Sequence, residues 1–225
     1  IFLLFFKSNG GDKVEKKILN ILQDGEKRII GQERYINSAV FIGIVTMEKR
    51  EYIVLEKRAL HIRQGGEISF PGGKYEVSDK TTENTAIRET IEELGVSKEK
   101  IRVLGKFGTL VSPNGIILEV YAGYIDIESI EELNYNRNEV ERVLLVPIDF
   151  FRNNIPRVEK IGVENKPLFS TSELKLPARY GSSWSGRERE VYFYNFQGEM
   201  IWGLTAEIIY EFIELYTKER VETNF

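Results

Sequence analysis

The sequence predicts an α/β (α+β) sandwich. Several runs of β-branched and aromatic residues are bounded by turn signals, and a few segments with helical periodicity lie between them. Strands with intercalated helices favour this class over a helical bundle or an all-β barrel. The 225 residues, 42% of them hydrophobic, are enough to bury the core of one such domain.

The first elements are a helix and a hairpin. Residues 12–24 carry apolar side chains at helical spacing, which predicts an amphipathic N-terminal helix. Ala39–Thr46 and Tyr52–Leu55 are strand-like runs separated by a short charged segment, so they predict a β-hairpin. Arg63–Gly73 is rich in glycine and ends Phe-Pro-Gly-Gly, which indicates irregular backbone that a ligand can approach closely.

The remaining chain predicts two helices and four strands. Thr81 or Thr82 caps a helix that runs to Leu94, and Gly95 suits its terminating turn. Residues 205–217 predict a closing helix, while the segment Asn153–Trp184 is expected to be irregular. The strand-like runs are Val103–Leu110, Ile116–Ile127, Val143–Ile148 and Val191–Phe196.

Composition excludes several classes of function. Thirty-one basic against 35 acidic residues give a net charge of −4, which argues against nucleic acid or an anionic membrane as partner. Without cysteine, and with His61 as its single histidine, the chain lacks the means for disulfides, zinc-thiolate sites or cysteine nucleophiles. The chain contains no run of eighteen apolar residues, so the sequence predicts no membrane-spanning helix. We expect a cytoplasmic protein whose carboxylates bind a hard cation.

Three glutamates lie close together on the predicted helix 82–94. At about 100° per residue, Glu89, Glu92 and Glu93 fall within roughly one 100° arc. Like charges at this spacing repel, so the cluster is either a solvated acidic face or a site for a divalent cation. The preceding glycine loop, Phe70–Gly73, would suit a phosphate-bearing ligand beside it. The opposite face is expected to be apolar, through Ile87, Ile91 and Leu94.

This segment resembles the Nudix box, G-x5-E-x7-R-E-U-x-E-E-x-G-U, where U is a bulky aliphatic residue. The match runs from Gly73 to Val96 and keeps the core R-E-x-x-E-E-x-G intact. Three departures stand out: Asp79 replaces the first glutamate, the spacer after it is one residue longer, and Thr90 occupies an aliphatic position.

Further motifs resemble the coenzyme A pyrophosphatase branch of that family. Thr85–Glu89 is similar to its T-A-L-R-E, and Val54–Gly73 follows its L-L-T-x-R-[SA]-x3-R-x3-G-x3-F-P-G-G. Ile201–Ala206 resembles its closing I-W-G-x-T-A, and Asn138–Glu141 loosely resembles N-x-x-E-V. The departures in the upstream motif are Val54, Glu56 and a spacing of only two residues between Arg63 and Gly66.

The resemblance implies a fold and an activity. The fold is a Nudix-type α/β/α sandwich with a mixed central sheet, in one domain over residues 1–225 with a C-terminal extension from about 150 to 225. The activity is hydrolysis of a nucleoside diphosphate linkage, with coenzyme A split into adenosine 3′,5′-bisphosphate and 4′-phosphopantetheine. Its partner is a small nucleotide substrate, and a homodimer is possible.

The resemblance also implies roles for particular residues. Mg²⁺ or Mn²⁺ would be held by three box glutamates and a glycine carbonyl, which are Glu89, Glu92, Glu93 and Gly73. Glu92 or Glu139 would be the general base, and spacing does not choose between them. Arg58 and Arg63 would bind the substrate's phosphates as fixed guanidinium groups, with Lys74 as a point charge. His61 is expected to be a surface or substrate-loop residue and not a ligand.

Two other functions stay open on the sequence. The first is a Nudix hydrolase of a different diphosphate, such as ADP-ribose, a dinucleotide or an oxidised nucleoside triphosphate, because the upstream motif is altered. The second is a ligand-sensing Nudix domain without activity, a class that usually has a damaged glutamate cluster. This chain keeps all three glutamates of the box.

Overall fold

A computed structural model describes residues 16–19, 22 and 29–222. The chain divides into two units, Ile1–Ile36 and Asn37–Phe225. In the first unit, the described residues 16–19 and 22 are helical, and the other residues of the predicted N-terminal helix lie outside the described part. A single domain over the whole chain stays a prediction.

The central sheet is organised around a hairpin of two long strands. Strands β1 (Ile36–Met47) and β2 (Arg50–Arg58) are joined by Glu48 and Lys49, which adopt φ of 48° and 64°. Positive φ at both turn residues matches the right-handed twist of the paired strands, and the predicted hairpin is confirmed. The other strands are β3 (Ile68–Ser69), β4 (Gly72–Lys74), β5 (Ile101–Ser112), β6 (Ile116–Ile125) and β7 (Val140–Pro147).

These seven strands form one mixed sheet, and five of them lie in the order β3-β2-β1-β6-β5. Strand β4 pairs with β1, and β7 pairs with β2. The segments β3 and β4 fall within the glycine-rich stretch that the sequence predicted to be irregular, so this part of the prediction is wrong. Both are short, and they form because β1 and β2 offer them open edges to pair with.

Helices cover both faces of this sheet. Helix α1 (Thr82–Leu94) packs on one face and helix α3 (Gly203–Glu222) on the other, while the short α2 (Ile148–Asn153) follows β7. Side chains alternate along a strand, so the adjacent Phe41 and Ile42 belong to different apolar clusters. The predicted α/β/α sandwich with a mixed central sheet is confirmed. None of the helices in the described part of the chain is long and apolar enough to cross a membrane.

The C-terminal extension is more regular than the sequence predicts. Strand β8 (Arg157–Ile161) and the hairpin strands β9 (Glu164–Asn165) and β10 (Trp184–Ser185) lie in or at the end of the segment 153–184. Strand β8 is exposed and mostly charged, so no apolar run marks it in the sequence. Strand β8 forms because β11 (Arg189–Phe196) pairs with it along the whole length of β8. The last strand, β12 (Glu199–Trp202), pairs with the other side of β11.

Candidate active site

The glycine loop is pressed against helix α1. The backbone N–H of Gly72 donates to Oε2 of Glu93 at 2.8 Å. A Cβ atom at Gly73 would lie 2.3 Å from Oε1 of Glu89, so a side chain there would displace that carboxylate. At Gly72 a Cβ atom would meet the carbonyl oxygen of Ala39 at 2.3 Å, and its φ of 153° also favours glycine. The glycine loop therefore lies beside the carboxylates of α1, as the sequence indicated.

The ends of α1 are built as the sequence predicts. The Thr81 hydroxyl accepts from the backbone N–H of Asn84 at 3.2 Å, so Thr81 is the cap and Thr82 is the first helical residue. Gly95 ends the helix with φ of 66°, and a Cβ there would meet the carbonyl oxygen of Asn134 at 2.0 Å. These two ends fix where each glutamate of α1 faces.

The three box glutamates lie on the observed helix as predicted, but their surroundings differ. Glu93 is only 3% exposed, and the side chain of Glu89 is 14% exposed. The side chain of Glu92 is 53% exposed and pairs with Arg88. The buried face of α1 consists of Thr85, Ala86, Thr90, Glu93 and Leu94.

Thr90 shows how the helix accepts a departure from the motif. Its side chain is fully buried, and its hydroxyl donates to the carbonyl oxygen of Ala86 at 2.7 Å. A buried hydroxyl is costly only when it lacks a partner. Ile87 and Ile91, which were expected to form the apolar face, are only half-buried.

Asp79 and Arg88 tie the loop before α1 to the helix. Asp79 is buried and accepts from Arg88 Nε at 2.8 Å and from Nη2 at 3.1 Å. The hydroxyl of Thr85 and the backbone N–H of Glu76 donate to the same carboxylate. Hydrogen bonds from Arg88 hold the pKa of Asp79 well below its usual range. Arg88 Nη1 in turn lies 2.9 Å from Glu89 Oε1.

Glu56 is a buried carboxylate that sequence reasoning missed. It lies on β2 with no exposed surface, and Ser69 donates to its Oε1 at 3.4 Å. Arg58 Nη1 lies 3.5 Å from the same oxygen and 3.9 Å from Glu93 Oε1. The sequence showed Glu56 only as a departure from a motif. A carboxylate inside an apolar strand run, two residues before an arginine, was the signal that could have found it.

Burial and mutual repulsion dominate the electrostatics of the site. Burial, reinforced by the charge of Glu93, raises the pKa of Glu56 to about 9. Burial also raises the pKa of Glu93 to about 8, against the opposing hydrogen bond from Gly72, and it raises the pKa of Glu89. The positive charge around the buried carboxylates is therefore too small to balance their negative charge when they are ionised.

This charge imbalance fits a divalent cation. In the part of the chain that the structure describes, no three acidic or histidine side chains are already arranged to enclose an ion. Mg²⁺ commonly takes one or two carboxylates and completes its shell with water and phosphate oxygens. Oε2 of Glu56 is buried without a hydrogen-bond partner, so the donor set has an oxygen free for such an ion.

The predicted base and phosphate-binding residues fall at different places. Glu139 is exposed just before β7, and its carbonyl oxygen accepts from the backbone N–H of Ala59, next to Arg58, at 2.8 Å. Its charge makes the smallest contribution to the raised pKa values of Glu56, Glu89 and Glu93. Arg58 reaches the same cluster. The side chain of Arg63 is exposed, and its carbonyl oxygen accepts from Arg58 Nε at 3.4 Å.

A cavity of about 420 Å³ opens beside the glycine loop. Arg58, Lys74 and the loop glycines line one part of it, whereas the side chain of Arg63 and the exposed His61 are not in its lining. The C-terminal extension supplies another wall, through Arg189, Trp202, Leu204 and Ile208. The lining thus combines basic side chains, which are Arg58, Lys74 and Arg189, with apolar side chains of the sheet and of the C-terminal extension.

The fold and this site define a class of protein: an α/β/α sandwich with a glycine loop beside a glutamate-bearing helix. The NUDIX domain family profile matches residues 37–162, more than half of the chain. The protein belongs to the Nudix family, as the box predicted, and its class of activity is hydrolysis of nucleoside diphosphate derivatives. Divalent metal ions such as Mg²⁺ or Mn²⁺ generally serve these enzymes.

Three individual proteins illustrate the similarity. "Nudix hydrolase 3" of Caenorhabditis elegans is 28% identical over 218 residues, which cover 94% of this chain and 86% of that protein. "Uncharacterized Nudix hydrolase NudL" of Photorhabdus laumondii is 29% identical over 185 residues, or 82% and 86% of the two chains. A protein with the same name from Yersinia pestis is 30% identical over 173 residues, or 76% and 75%.

Proposed function

We propose that the protein hydrolyses coenzyme A to adenosine 3′,5′-bisphosphate and 4′-phosphopantetheine. One observation supports this most directly: motifs far apart in the sequence line the same cavity. Residues of the upstream motif, from Arg58 to Gly73, and of the closing motif, from Trp202 to Thr205, both contribute to its wall. These are the segments that resemble the coenzyme A pyrophosphatase branch.

The chemistry of the cavity suits the parts of this substrate. Arg58, Lys74 and the backbone of the glycine loop line the cavity, and Arg58 and Gly72 both contact Glu93, so a bound diphosphate would lie near the carboxylates of α1. The apolar wall of Trp202, Leu204 and Ile208 suits the aliphatic pantetheine arm. A pocket that combines basic and apolar side chains favours coenzyme A over a substrate that is polar throughout.

The box carboxylates would serve a bound cation and a water molecule. Glu89 and Glu93, with the carbonyl of Gly73, would hold Mg²⁺ or Mn²⁺, which neutralises charge on the diphosphate and lowers the pKa of bound water. Glu92 is a weaker candidate ligand, because its side chain is half-exposed whereas that of Glu89 is largely buried. Glu139 is the better candidate base, because its backbone pairs with Ala59, next to the Arg58 that contacts Glu93, and its exposed carboxylate is open to water.

A product assay tests this function. The protein is incubated with Mg²⁺ or Mn²⁺ and, side by side, coenzyme A, ADP-ribose, NADH and diadenosine polyphosphates. We expect 4′-phosphopantetheine to be released from coenzyme A well ahead of any other product. A preference for ADP-ribose or a dinucleotide would contradict the substrate assignment. Turnover of none of the four would contradict the proposed function and leave the ligand-sensing alternative.

A further inference from the structure

The free oxygen of Glu56 is a polar group that the proposed function leaves without a role. Oε1 has two neighbours, the hydroxyl of Ser69 at 3.4 Å and Nη1 of Arg58 at 3.5 Å. Oε2 has none. Among the residues that the structure describes, it is the one buried side-chain nitrogen or oxygen without a hydrogen-bond partner. Buried polar atoms are nearly always paired, so this atom calls for an explanation.

Glu56 faces helix α1. Side chains alternate along β2, so Glu56 shares a face with Val54 and Arg58, and Val54 packs in the apolar cluster that includes Leu94 of α1. Nη1 of Arg58 lies 3.5 Å from Glu56 Oε1 and 3.9 Å from Glu93 Oε1. The two carboxylates therefore flank one guanidinium group, with Glu56 directed into the carboxylate cluster.

Neither protonation state of Glu56 gives Oε2 a partner among the described residues. An ionised oxygen needs a hydrogen-bond donor or a cation, and a protonated one needs an acceptor, but no atom of the described part of the chain is placed to serve as either. A bound ion or molecule would supply the missing partner. Because one guanidinium faces two buried carboxylates, a cation compensates the local charge and an anion does not.

We infer that Glu56 supplies a further carboxylate oxygen to a divalent cation held beside Glu93, in addition to the glutamates of the box. This inference rests on the proposed function, because it needs the cation site that α1 forms. Mg²⁺ and Mn²⁺ prefer oxygen ligands and keep several water molecules, so the carboxylates of Glu56 and Glu93 are a sufficient protein contribution to such a site. A bound water molecule could also be the partner of Oε2. In that case the loss of the Glu56 charge would leave cation affinity unchanged.

Mn²⁺ binding to the substrate-free full chain tests the inference, with isothermal titration calorimetry as the readout. Glu56→Gln keeps the shape of the side chain and removes its charge. We expect it to weaken Mn²⁺ affinity by about tenfold to a hundredfold, the range seen when groups around a metal site are changed. Glu83→Gln is the matched control, because Glu83 is an exposed glutamate in the first turn of α1, and its Mn²⁺ affinity should equal that of the wild type.

Glu93→Gln separates this inference from the proposed function. If Glu93→Gln weakens Mn²⁺ binding and Glu56→Gln does not, the role of Glu56 is refuted and the box site stands. If neither variant changes Mn²⁺ affinity, both proposals fail. Circular dichroism reports whether Glu56→Gln folds. If it does not, Glu56→Asp is measured instead: it keeps the charge but withdraws the oxygens by one methylene, and wild-type affinity in it would count against Glu56 as a ligand.

Discussion

At the scale of single residues, adjacent glutamates of one motif have opposite surroundings. Glu93 lies against the sheet and accepts from the backbone of the glycine loop, whereas Glu92 faces outward and pairs with Arg88. Burial makes an electrostatic interaction stronger, since water no longer screens it. The buried carboxylate should therefore contribute more to holding a cation than its exposed neighbour.

Turnover should fall unequally when these two residues are neutralised. We expect Glu93→Gln to reduce kcat by at least about a hundredfold, because it removes charge next to the reacting diphosphate. Glu92→Gln should cost clearly less, since its carboxylate is half-exposed. Steady-state kinetics with coenzyme A measure both. Equal losses of turnover in the two variants would show that burial does not decide how much each glutamate contributes to catalysis.

The stability of the metal-free protein should fall as the pH rises. Glu56 and Glu93 have folded pKa values of about 9 and 8, against an ordinary value of 4.5. The folded chain therefore holds these protons more tightly than the unfolded chain. The resulting stability is complete below the ordinary pKa and is lost as the pH rises through 8 to 9.

Urea unfolding in the presence of a chelator checks this pH dependence. The free energy of unfolding should be lower at about pH 8.5 than at about pH 5.5, by more than about 1 kcal/mol. Glu56→Gln should reduce that difference, because its amide does not titrate. Added Mn²⁺ should restore stability at the higher pH by binding the native state. The same pH slope in the variant and the wild type would contradict the assignment to Glu56.

At the scale of the elements, helix α1 is fixed to its preceding loop by one ion pair. Asp79 closes a 3-10 turn, Val77–Asp79, and accepts three hydrogen bonds from side chains and one from backbone. Arg88, which makes two of them, also donates to the carbonyl of Lys74 at 3.2 Å. One residue of α1 thus connects the turn, the glycine loop and Glu89.

Asp79→Asn should destabilise the fold by about 2 kcal/mol, because a charged hydrogen-bonded acceptor is lost where little water can replace it. Urea unfolding at neutral pH measures the change. Asp149→Asn is the control: its pair with Arg152 is exposed, so it should cost less than about 1 kcal/mol. Because the pKa of Asp79 is lowered, its contribution is present above the ordinary pKa and is lost as the pH falls below it. Similar losses in the two variants would contradict this role.

Many of the elements were predictable from sequence, and the exceptions have a common cause. The hairpin at Glu48 and the helix between Thr81 and Gly95 follow from local turn and cap chemistry. Strand β8 was missed, because its residues are exposed and charged and only its partner β11 makes it a strand. Local signals are therefore sufficient where an element buries its own apolar face and insufficient where a neighbour supplies the hydrogen bonds.

At the scale of the whole molecule, the C-terminal extension completes the cavity beside the site. Strand β12 lies next to the central sheet, where Glu199 accepts a hydrogen bond from Lys57 of β2 at 3.1 Å, across 142 positions of sequence. The following residues, from Trp202 to Ile208, reach the cavity that the glycine loop opens. We therefore expect the extension to influence which substrate fits the cavity.

Trp202→Ala should raise KM for coenzyme A by about tenfold, with a smaller effect on kcat, because it removes apolar wall and leaves the carboxylates unchanged. Mn²⁺ affinity should stay at the wild-type value. Trp184→Ala is the control, since Trp184 lies in β10 and is not part of the cavity lining. A loss confined to kcat, or an equal effect in the control, would show that Trp202 does not contact the substrate.

By itself, the sequence determined the family and the α/β class, and it indicated that the glycine loop lies near α1. The motif R-E-x-x-E-E depends on short spacings, and helical geometry within one element fixes the relative directions of its side chains. Only the tertiary structure decided that Glu93 is inward and Glu92 outward, that Glu56 joins them, and that Trp202 lines the same cavity as Gly73. The reason is physical: periodicity sets which residues share a face, whereas burial and charge depend on which distant segment packs against that face.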